Sequence, residues 1–442
     1  MTRSDHKTEH KSTKHSDPGR QHLAAPETAS DIEPMGTIIN RAGDWKRIFW
    51  TIWSGQAFSI LGSAAAGFAI VWWLTIQTGS AMALTMATLA IFLPQALIGP
   101  FAGVWIDRSS RKTVMIGADL LIAATSVILA IVFLIGNPPI WLIYAMLFIR
   151  GVGQSFHIPA MQAAMPMFVP ESELVKVGGW SGFIQSGSLM LGPVLGTFFM
   201  TVFSIPAVML IDIIGAIIAV GALLLVTIPD PKVDPNTRQH MLSEMLDGLK
   251  EIKGNKPLIL ISIPVLLTCL IYIPLSALFP LMSYLHFGGT AWHASIVESF
   301  FAGGMLVSGL ILGVWGGLRD KFLMINLSLL AMGFAIAVSG ALPATGFWAF
   351  AILSAFMGLS GTFFNVPFIA YVQEVVPPES LGRVLTMLTS LMSLSTPLGL
   401  MVAGPFAENI GVARWFFISG LAIAVIAAFG YCLMKLSANK AC

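Results

Sequence analysis

The chain has 442 residues, of which 56% are apolar and only 10% are charged, and its formal net charge is +2. Soluble proteins average roughly 45–50% apolar and about 25% charged residues, so these charges are too few to cover the surface of a soluble protein of this length. The composition argues against a set of soluble domains, gives no basis for nucleic-acid binding, and predicts a protein embedded in a lipid bilayer.

The first 46 residues differ from the rest, because they are polar and contain four of the eight histidines. Such a segment cannot bury enough apolar surface to fold, so residues 1–46 are predicted to form a disordered cytoplasmic tail. Capture of a metal ion by the histidines is the alternative interpretation. The three cysteines, Cys269, Cys432 and Cys442, match neither a zinc site nor a disulfide framework, and we expect no metal and no cofactor.

Beyond the tail, apolar runs follow one another, and each is long enough to cross a bilayer as a helix. Twelve spans are predicted, near residues 47–76, 82–106, 113–135, 139–165, 176–203, 205–228, 257–284, 291–317, 322–341, 346–373, 380–406 and 412–436. All of the 24 lysines and arginines except Arg150 and Arg414 fall in the tails or in alternate loops, as expected if those loops face the cytoplasm. We therefore expect a multi-pass protein of the plasma (inner) membrane with both termini in the cytoplasm.

The longest internal connection, residues 229–256, divides the spans into two groups of six. It separates an N-terminal half over 47–228 from a C-terminal half over 257–436, which a short cytoplasmic tail over 437–442 follows. Apolar residues recur at helical spacing from Met241 to Ile252, which predicts an amphipathic helix on the inner membrane face. A plain linker is the alternative.

Two related stretches lie in the fourth span of each half. GQSFHIPAMQAAMPMFVPES runs from Gly153 to Ser172, and GTFFNVPFIAYVQEVVPPES runs from Gly361 to Ser380. A second matching pair, Gly-Val-Trp, begins at Gly103 and again at Gly313. The repeats indicate a duplicated six-helix unit, which gives an all-α membrane protein with two pseudo-symmetric halves, an architecture typical of secondary transporters with alternating access.

The sequence GVWIDRSSRK after the second span resembles the Gly-x-x-x-Asp-Arg-x-x-Arg-Lys motif of the major facilitator superfamily. The residues of this motif are Gly103, Asp107, Arg108, Arg111 and Lys112. The resemblance implies a cytoplasmic gate in which Asp107 bonds across the interface between the halves and the basic residues hold the inner ends. The second copy, GVWGGLRDK, has Gly317 in place of the acid, so a second gate is not expected. A positive-inside anchor without gating is the alternative.

In the fifth span, Gly192, Pro193 and Gly196 resemble the Gly-Pro-x-x-Gly core of the antiporter motif of that superfamily, although Ser188 stands where an earlier glycine is usual. Small residues let helices approach closely, and a proline bends a helix. The resemblance is compatible with export, and plain close packing is the alternative.

Longer stretches are similar to the macrolide-efflux proteins of the superfamily over nearly all of residues 45–436, among them WKRIFWTIWSGQAFS, FIRGVGQSFHIPA and ALFPLMSYLHFGGTAWHASIVE. This resemblance implies a secondary active exporter that exchanges macrolide-like amphipathic drugs for protons. A flippase for lipids or lipid-like metabolites is the alternative. No phosphate-binding Gly-x-x-x-x-Gly-Lys motif occurs, which argues against an ATP-driven pump, and no nucleophile with a paired base indicates an enzyme. We expect a monomer, and dependence on an accessory ATP-binding resistance protein stays open.

Charged side chains within the spans are candidate functional residues, because a charge in hydrocarbon costs at least about 2.5–3.5 kcal/mol on insertion scales. The candidates for proton coupling are Glu298, Asp212, His157, Arg150 and Asp119. Glu298 and Asp212 are favoured, since a carboxyl in a medium of low dielectric constant holds a proton more readily than one in water. An ion pair or a helix cap is the alternative for each acid, and a buried hydrogen-bonded ring is the alternative for His157.

Spans one, four, seven and ten are expected to line a broad, mostly apolar cavity, which suits large amphipathic molecules and loose selectivity. The candidate lining residues are Gln56, Phe58, Trp72, Gln154, Phe156, Thr268, Tyr272, Ser276, Phe364 and Asn365. Ordinary packing is the alternative for each aromatic residue.

Overall fold

The structure is a computed structural model and describes residues 44–228 and 249–439. This part of the chain contains twelve long helices. The N-terminal half consists of α1 (Asp44–Thr78), α2 (Ala81–Asp107), α3 (Arg111–Ile135), α4 (Ile140–Ala164), α5 (Leu174–Val202) and α6 (Ile205–Leu225). The C-terminal half consists of α7 (Lys256–Ser276), α8 (Ala291–Trp315), α9 (Lys321–Ala341), α10 (Phe347–Val375), α11 (Pro378–Ile410) and α12 (Val412–Asn439). The regular elements of the described residues are all helical, so the predicted all-α fold of twelve helices is confirmed.

Three predicted segments fall partly outside the described residues. Of the tail over 1–46, only residues 44–46 are described, and they begin α1. Of the predicted amphipathic helix, residues 249–254 are described and are helical. The predicted tail at 437–442 begins within α12, which continues to Asn439.

Eleven of the described helices are long and apolar enough to cross a membrane, and α4 is the twelfth long helix. Its hydropathy is lower because Arg150, Gln154 and His157 lie within it. The two ionisable side chains of this group do not face lipid, since Arg150 and His157 are both buried. α4 therefore depends on its neighbours, more than on its own apolar surface, for its place in the membrane.

The packing of the helices repeats between the halves. In the N-terminal half, α1 packs against α5 and α6, α3 packs against α4 and α6, and α2 packs against α4. In the C-terminal half, α7 packs against α11 and α12, α9 packs against α10 and α12, and α8 packs against α10. These pairs correspond one for one, as a duplicated six-helix unit requires. The two halves meet where α2 packs against α11 and where α5 packs against α8.

Close helix contacts rest on glycine where two backbones touch. A β-carbon at Gly304 of α8 would overlap the carbonyl of Ala355 in α10, and one at Gly358 of α10 would overlap the carbonyl of Phe301 in α8. Small residues of this kind are how helices approach closely in a membrane, where lipid gives little hydrophobic drive for association.

The predicted seventh span, residues 257–284, is not one helix. α7 ends at Ser276, and a short helical segment, Phe279–Leu281, continues into a π-helical turn at Met282–His286. Pro274 lies in the last turn of α7, and Pro280 lies in the short segment. Proline has no amide hydrogen to continue a helical ladder, so the apolar run stays in the membrane while its helix is interrupted.

Candidate functional site

A cavity lies between the two halves on the side that the sequence assigns to the cytoplasm, and we name it the central cavity. It is formed by α5, α8 and α10 and has a volume of about 500 Å³. Its lining residues are Gly179, Gly182, Phe183, Ser186, Met305, Leu306, Gly309, Leu310, Gly361, Thr362, Asn365 and Val366. This volume lies within the range of drug-sized binding sites, about 300–1,000 Å³. The lining is apolar except for two hydroxyls and one amide, and it contains no charged side chain.

Contacts between the halves lie at the opposite, outer ends of the helices. Glu408 at the end of α11 accepts hydrogen bonds from the Ser80 hydroxyl (3.0 Å) and from the backbone N–H of Met82 (3.1 Å) at the start of α2. The rings of Trp72 in α1 and Tyr284 after α7 meet edge to face with centroids 5.9 Å apart. The carboxylate is well placed, because the first amides of a helix have no partner within it and carry a partial positive charge.

The first candidate pair joins Arg150 of α4 to Asp212 of α6. Nη1 of Arg150 lies 2.8 Å from Oδ2 of Asp212, and the two side chains are 4% and 1% exposed. The same carboxylate accepts hydrogen bonds of 2.5 Å from Ser63 of α1 and Ser126 of α3. Arg150 also donates to the Ser126 hydroxyl at 2.7 Å. Four helices of the N-terminal half thus converge on one hydrogen-bonded ion pair, which gives each buried charge an opposite charge and polar partners.

The second candidate pair lies beside it and joins Asp119 of α3 to His157 of α4. Nε2 of His157 is 3.2 Å from Oδ1 of Asp119, close enough for an ion pair but not aligned as a hydrogen bond. Asp119 accepts hydrogen bonds from Nε2 of Gln56 (3.0 Å) and from the Ser59 hydroxyl (3.5 Å), both in α1. Gln56, predicted to line the central cavity, instead supports this pair.

Glu298 of α8 differs from both pairs. Within the described residues its carboxyl has neither an ion pair nor a hydrogen bond, and its side chain is partly exposed. It lies seven residues before Met305, which brings the two side chains to within about 20° on one face of the helix. Met305 lines the central cavity, so Glu298 extends the same face of α8 toward the outer side.

The residues of the gate motif lie at the inner ends of α2 and α3. Nζ of Lys112 donates a hydrogen bond of 2.7 Å to the backbone carbonyl of Val226, just after α6, and so ties α3 to the end of α6 within one half. Arg108 is exposed, and Gly103 has open space around its α-carbon. The Asp107 side chain lies outside what the structure describes, so its role in gating stays a prediction.

The Gly-Pro-x-x-Gly residues of α5 lie against α1. A β-carbon at Gly192 would lie 2.5 Å from the β-carbon of Ala64, and one at Gly196 would lie 2.6 Å from the carbonyl oxygen of Ala65. Pro193 is within α5. These contacts are those of close packing, the alternative that the sequence left open.

The remaining cavity candidates of the N-terminal half have other surroundings. Gln154 of α4 accepts a hydrogen bond of 3.0 Å from Gln95 of α2. The ring of Phe156 contacts Trp105 edge to face at 5.4 Å between centroids. The Phe58 side chain is 59% exposed and is not part of the central cavity's lining.

In the C-terminal half, Asn365 lines the central cavity, as expected. Phe364 and Thr268 are buried. The Ser276 hydroxyl bonds to a carbonyl of its own helix, and the buried hydroxyl oxygen of Tyr272 has no hydrogen-bond partner within the described residues. The glycines and Ser186 of α5 were missed by sequence reasoning, although three glycines within five residues, Gly178, Gly179 and Gly182, are a usable signal for a helix face that leaves space.

Comparison with known proteins places this geometry in a family. A model of the Major Facilitator Superfamily matches residues 52–336 and 265–440. Macrolide efflux protein A of Streptococcus pyogenes is 42% identical over 394 residues, which cover 88% of this chain and 96% of that protein. Macrolide efflux protein A of Enterococcus faecalis is 42% identical over 327 residues, which cover 73% of this chain and 100% of that protein.

Solved structures share the fold at low identity. The nucleoside transporter NupG superposes with a TM-score of 0.68 at 15% identity, covering 89% of this chain and 99% of that one. A bacterial homologue of the human lysosomal transporter Spinster, in an inward-facing and unoccupied conformation, superposes with a TM-score of 0.63 at 11% identity, covering 89% of this chain and 97% of that one.

Proposed function

The chain belongs to the major facilitator superfamily and is a membrane transporter, and from that premise we propose that it exports macrolide-like amphipathic molecules across the plasma membrane in exchange for protons. The observation that carries the proposal is the central cavity, because a mostly apolar volume of about 500 Å³ with a few neutral polar groups suits such molecules. The macrolide efflux proteins that are 42% identical to the chain support the same substrate class.

The side on which the cavity lies indicates which step of the transport cycle the structure represents. Bonds at the outer ends of α2 and α11 hold the halves together there, while the cavity lies between the inner halves of α5 and α8. We interpret this as the conformation that loads substrate from the cytoplasm or the inner leaflet. Export then requires the outer contacts to separate and the inner ends to close, with Asp107 contributing to the closed inner gate.

Proton coupling is assigned first to Glu298. Arg150 and Asp212 form a buried ion pair, so changing the charge of either leaves an uncompensated buried charge. Glu298 has no such partner within the described residues and shares a helix face with the cavity. A carboxyl in that position can gain a proton from one side and lose it to the other without breaking a buried pair. Asp119 and His157 form the second candidate, because they are a buried pair at 3.2 Å that is not aligned as a hydrogen bond.

The test is Glu298→Gln, which keeps the size and hydrogen bonding of the side chain but removes its titration. In proteoliposomes with an imposed pH step, we expect drug transport to fall to the level of empty liposomes, while drug binding in detergent stays within twofold of wild type. Glu374→Gln is the matched control, since Glu374 is an exposed acid paired with Lys321 inside the C-terminal half. A pH-driven rate in Glu298→Gln equal to that of wild type would move the coupling role to the Asp119–His157 pair.

Movement of lipids or lipid-like metabolites is the second candidate function. It is favoured by Phe183 and Leu310, two apolar residues of the central cavity that are 58% and 70% exposed on facing helices of the two halves. An apolar opening between α5 and α8 admits an acyl chain from the bilayer. Collapse of the proton gradient separates the two functions, because it stops proton-driven drug export and spares a flippase that exchanges no proton.

A further inference from the structure

The inner half of α11 carries a row of hydroxyl groups on one side of the helix. Thr386, Ser390 and Ser393 are four and three residues apart, a spacing that makes them neighbours on the helix surface, and we name them the hydroxyl face. α11 runs from Pro378 to Ile410, so Ser393 lies near its middle and Thr386 lies about 10 Å closer to its inner end. From Thr386 to Gly404 the sequence contains no charged residue, so the hydroxyl face is polar but neutral.

These hydroxyls are accessible and unpaired. Thr386 and Ser393 are exposed and Ser390 is half-buried, and none of the three hydroxyls has a hydrogen-bond partner within the described residues. Ser395 is the contrasting case, because its hydroxyl is buried and bonds to the carbonyl of Leu391 at 2.8 Å, one turn before it in the same helix. A hydroxyl without a partner in hydrocarbon costs free energy, so the hydroxyl face requires water or a polar ligand instead of lipid.

The hydroxyl face points into the space between the two halves. At the outer end of α11, a β-carbon at Gly404 would overlap the hydroxyl of Thr85 in α2, so this side of α11 is the one that contacts the other half. Gly404 follows Ser393 by eleven residues, which returns to within about 20° on a helix. The hydroxyl face is therefore the inner continuation of the side that packs on α2. Since its residues are uncovered, α2 and α11 are apart at this level.

The hydroxyl face complements the central cavity. That cavity is mostly apolar and is bounded by α5, α8 and α10, whereas the hydroxyl face borders the space between the halves from α11. A hydroxyl both donates and accepts hydrogen bonds, so a row of them suits neutral groups such as the hydroxyl, ether and carbonyl oxygens of a sugar. An amphipathic molecule has one side for each of these surfaces.

We propose that the hydroxyl face binds the sugar-bearing side of an amphipathic substrate whose apolar side lies against the central cavity. Ser390 and Ser393 then determine specificity for glycosylated molecules, and Thr386 contacts the same side of the substrate nearer the cytoplasm. This assignment names the substrate class more closely and rests on the proposed function.

Thiol labelling in inside-out membrane vesicles tests where the hydroxyl face points. The full-length chain carries Ser393→Cys in a transport-active background whose three cysteines are replaced by alanine, and it reacts with a charged, membrane-impermeant methanethiosulfonate. Leu394→Cys is the matched control, because Leu394 is 43% exposed but points about 100° away around the helix. We expect Ser393→Cys to react at least tenfold faster than Leu394→Cys, and erythromycin to slow its reaction several-fold. Asn365→Cys, in the central cavity, reports binding of erythromycin there.

Each other outcome has a defined meaning. Equal rates for Ser393→Cys and Leu394→Cys would show that the hydroxyl face points to lipid and would overturn the proposal. Protection of Asn365→Cys by erythromycin without protection of Ser393→Cys would show that the hydroxyl face holds only water, and would overturn the proposal while the proposed export stands. Absence of erythromycin binding to the wild-type protein would overturn the proposed export of macrolide-like molecules, and this site with it.

Affinity supplies a second readout. Ser390→Ala and Ser393→Ala should each raise the Kd of radiolabelled erythromycin in detergent about two- to tenfold, the effect of one lost hydrogen bond. Ser393→Thr keeps a hydroxyl and should restore the affinity to within twofold of wild type. Ser395→Ala is the control, since that hydroxyl bonds within its own helix, and it should also stay within twofold. A wild-type Kd in both Ser390→Ala and Ser393→Ala would overturn the site.

Discussion

Removal of one partner from the Arg150–Asp212 pair should destabilise the N-terminal half strongly. At 2.8 Å the Coulomb attraction of two unit charges is about 6 kcal/mol for an effective dielectric constant of ~20. Desolvation of both groups opposes most of it in the intact protein, but a single substitution leaves the other charge buried without compensation, which costs about 3–5 kcal/mol. Arg150→Met keeps an unbranched apolar stem without the guanidinium, and Asp212→Asn keeps the shape of the side chain without its charge.

The assay is unfolding of purified protein in mixed micelles with increasing sodium dodecyl sulfate, read by circular dichroism. We expect each single variant to lose about 3–5 kcal/mol and the double variant to lose about 1 kcal/mol or less, because it removes both charges from the interior. A double-variant cost near the sum of the two single costs would refute the pairing, since the stability costs of independent sites add and those of coupled sites do not.

An exposed pair in the same protein supplies the control. Nζ of Lys321 lies 2.6 Å from Oε2 of Glu374, but the two side chains are 34% and 63% exposed. Exposed pairs contribute about 0–1 kcal/mol. Lys321→Met and Glu374→Gln should therefore change the free energy of unfolding by less than about 1 kcal/mol. A cost of several kcal/mol in these variants would show that burial is not what sets the difference.

Three further predictions concern the gates and the packing. Asp107→Asn should reduce drug efflux from cells while the amount of protein in the membrane stays at the wild-type level, and full efflux would assign the motif to topology alone. Glu408→Gln should raise the outward-open fraction about two- to fivefold, the usual size of a charge effect at a helix N-terminus. Electron paramagnetic resonance between spin labels on the outer loops measures this fraction, and an unchanged distance distribution would refute a gating role for the contact. Gly358→Leu should lower the thermal stability in detergent because its side chain would overlap the backbone of Phe301 in α8, whereas the same change at Gly309, where the space is open, should not; equal effects would refute the contact.

The fold could be predicted largely from the sequence, because a membrane imposes a local requirement on every span. Each helix must satisfy its backbone internally and present apolar side chains to lipid, so length and hydropathy identify it without knowledge of its partners. The exception is α4, which hydropathy alone does not identify. α4 is recognised by its place in the repeat and by the loops around it, since Arg150, Gln154 and His157 reduce its hydropathy.

The candidate site was predictable residue by residue but not as an arrangement. Arg150 and Asp212 were both singled out as charges in the membrane, yet nothing in the sequence indicates that they bond to each other or that Ser63 and Ser126 complete the cluster. Those contacts join helices that are far apart in the chain and depend on how each helix is rotated. The sequence likewise predicts Gln56 in the central cavity, because it shows that the residue is polar but not which way its side chain points.

The helices that line the central cavity differ from those predicted, because the lining depends on the conformation of the transporter. The helices expected to line it were α1, α4, α7 and α10, whereas its walls come from α5, α8 and α10. In this structure the outer ends are joined, and the inner halves of α5 and α8 border the space between the halves. A sequence specifies all conformations of a transporter at once, so it cannot indicate which helices line the cavity in any one of them.

The order in which the chain is made gives the Arg150 contacts a consequence for biogenesis. Thr125 and Ser126 of α3 are synthesised before Arg150, but Asp212 follows 62 residues later, about 3–12 s at a translation rate of ~5–20 residues per second. During that interval α4 is a marginal span whose guanidinium has only hydroxyl partners. We therefore expect α3 and α4 to stay together as a hairpin until α6 arrives with the carboxylate.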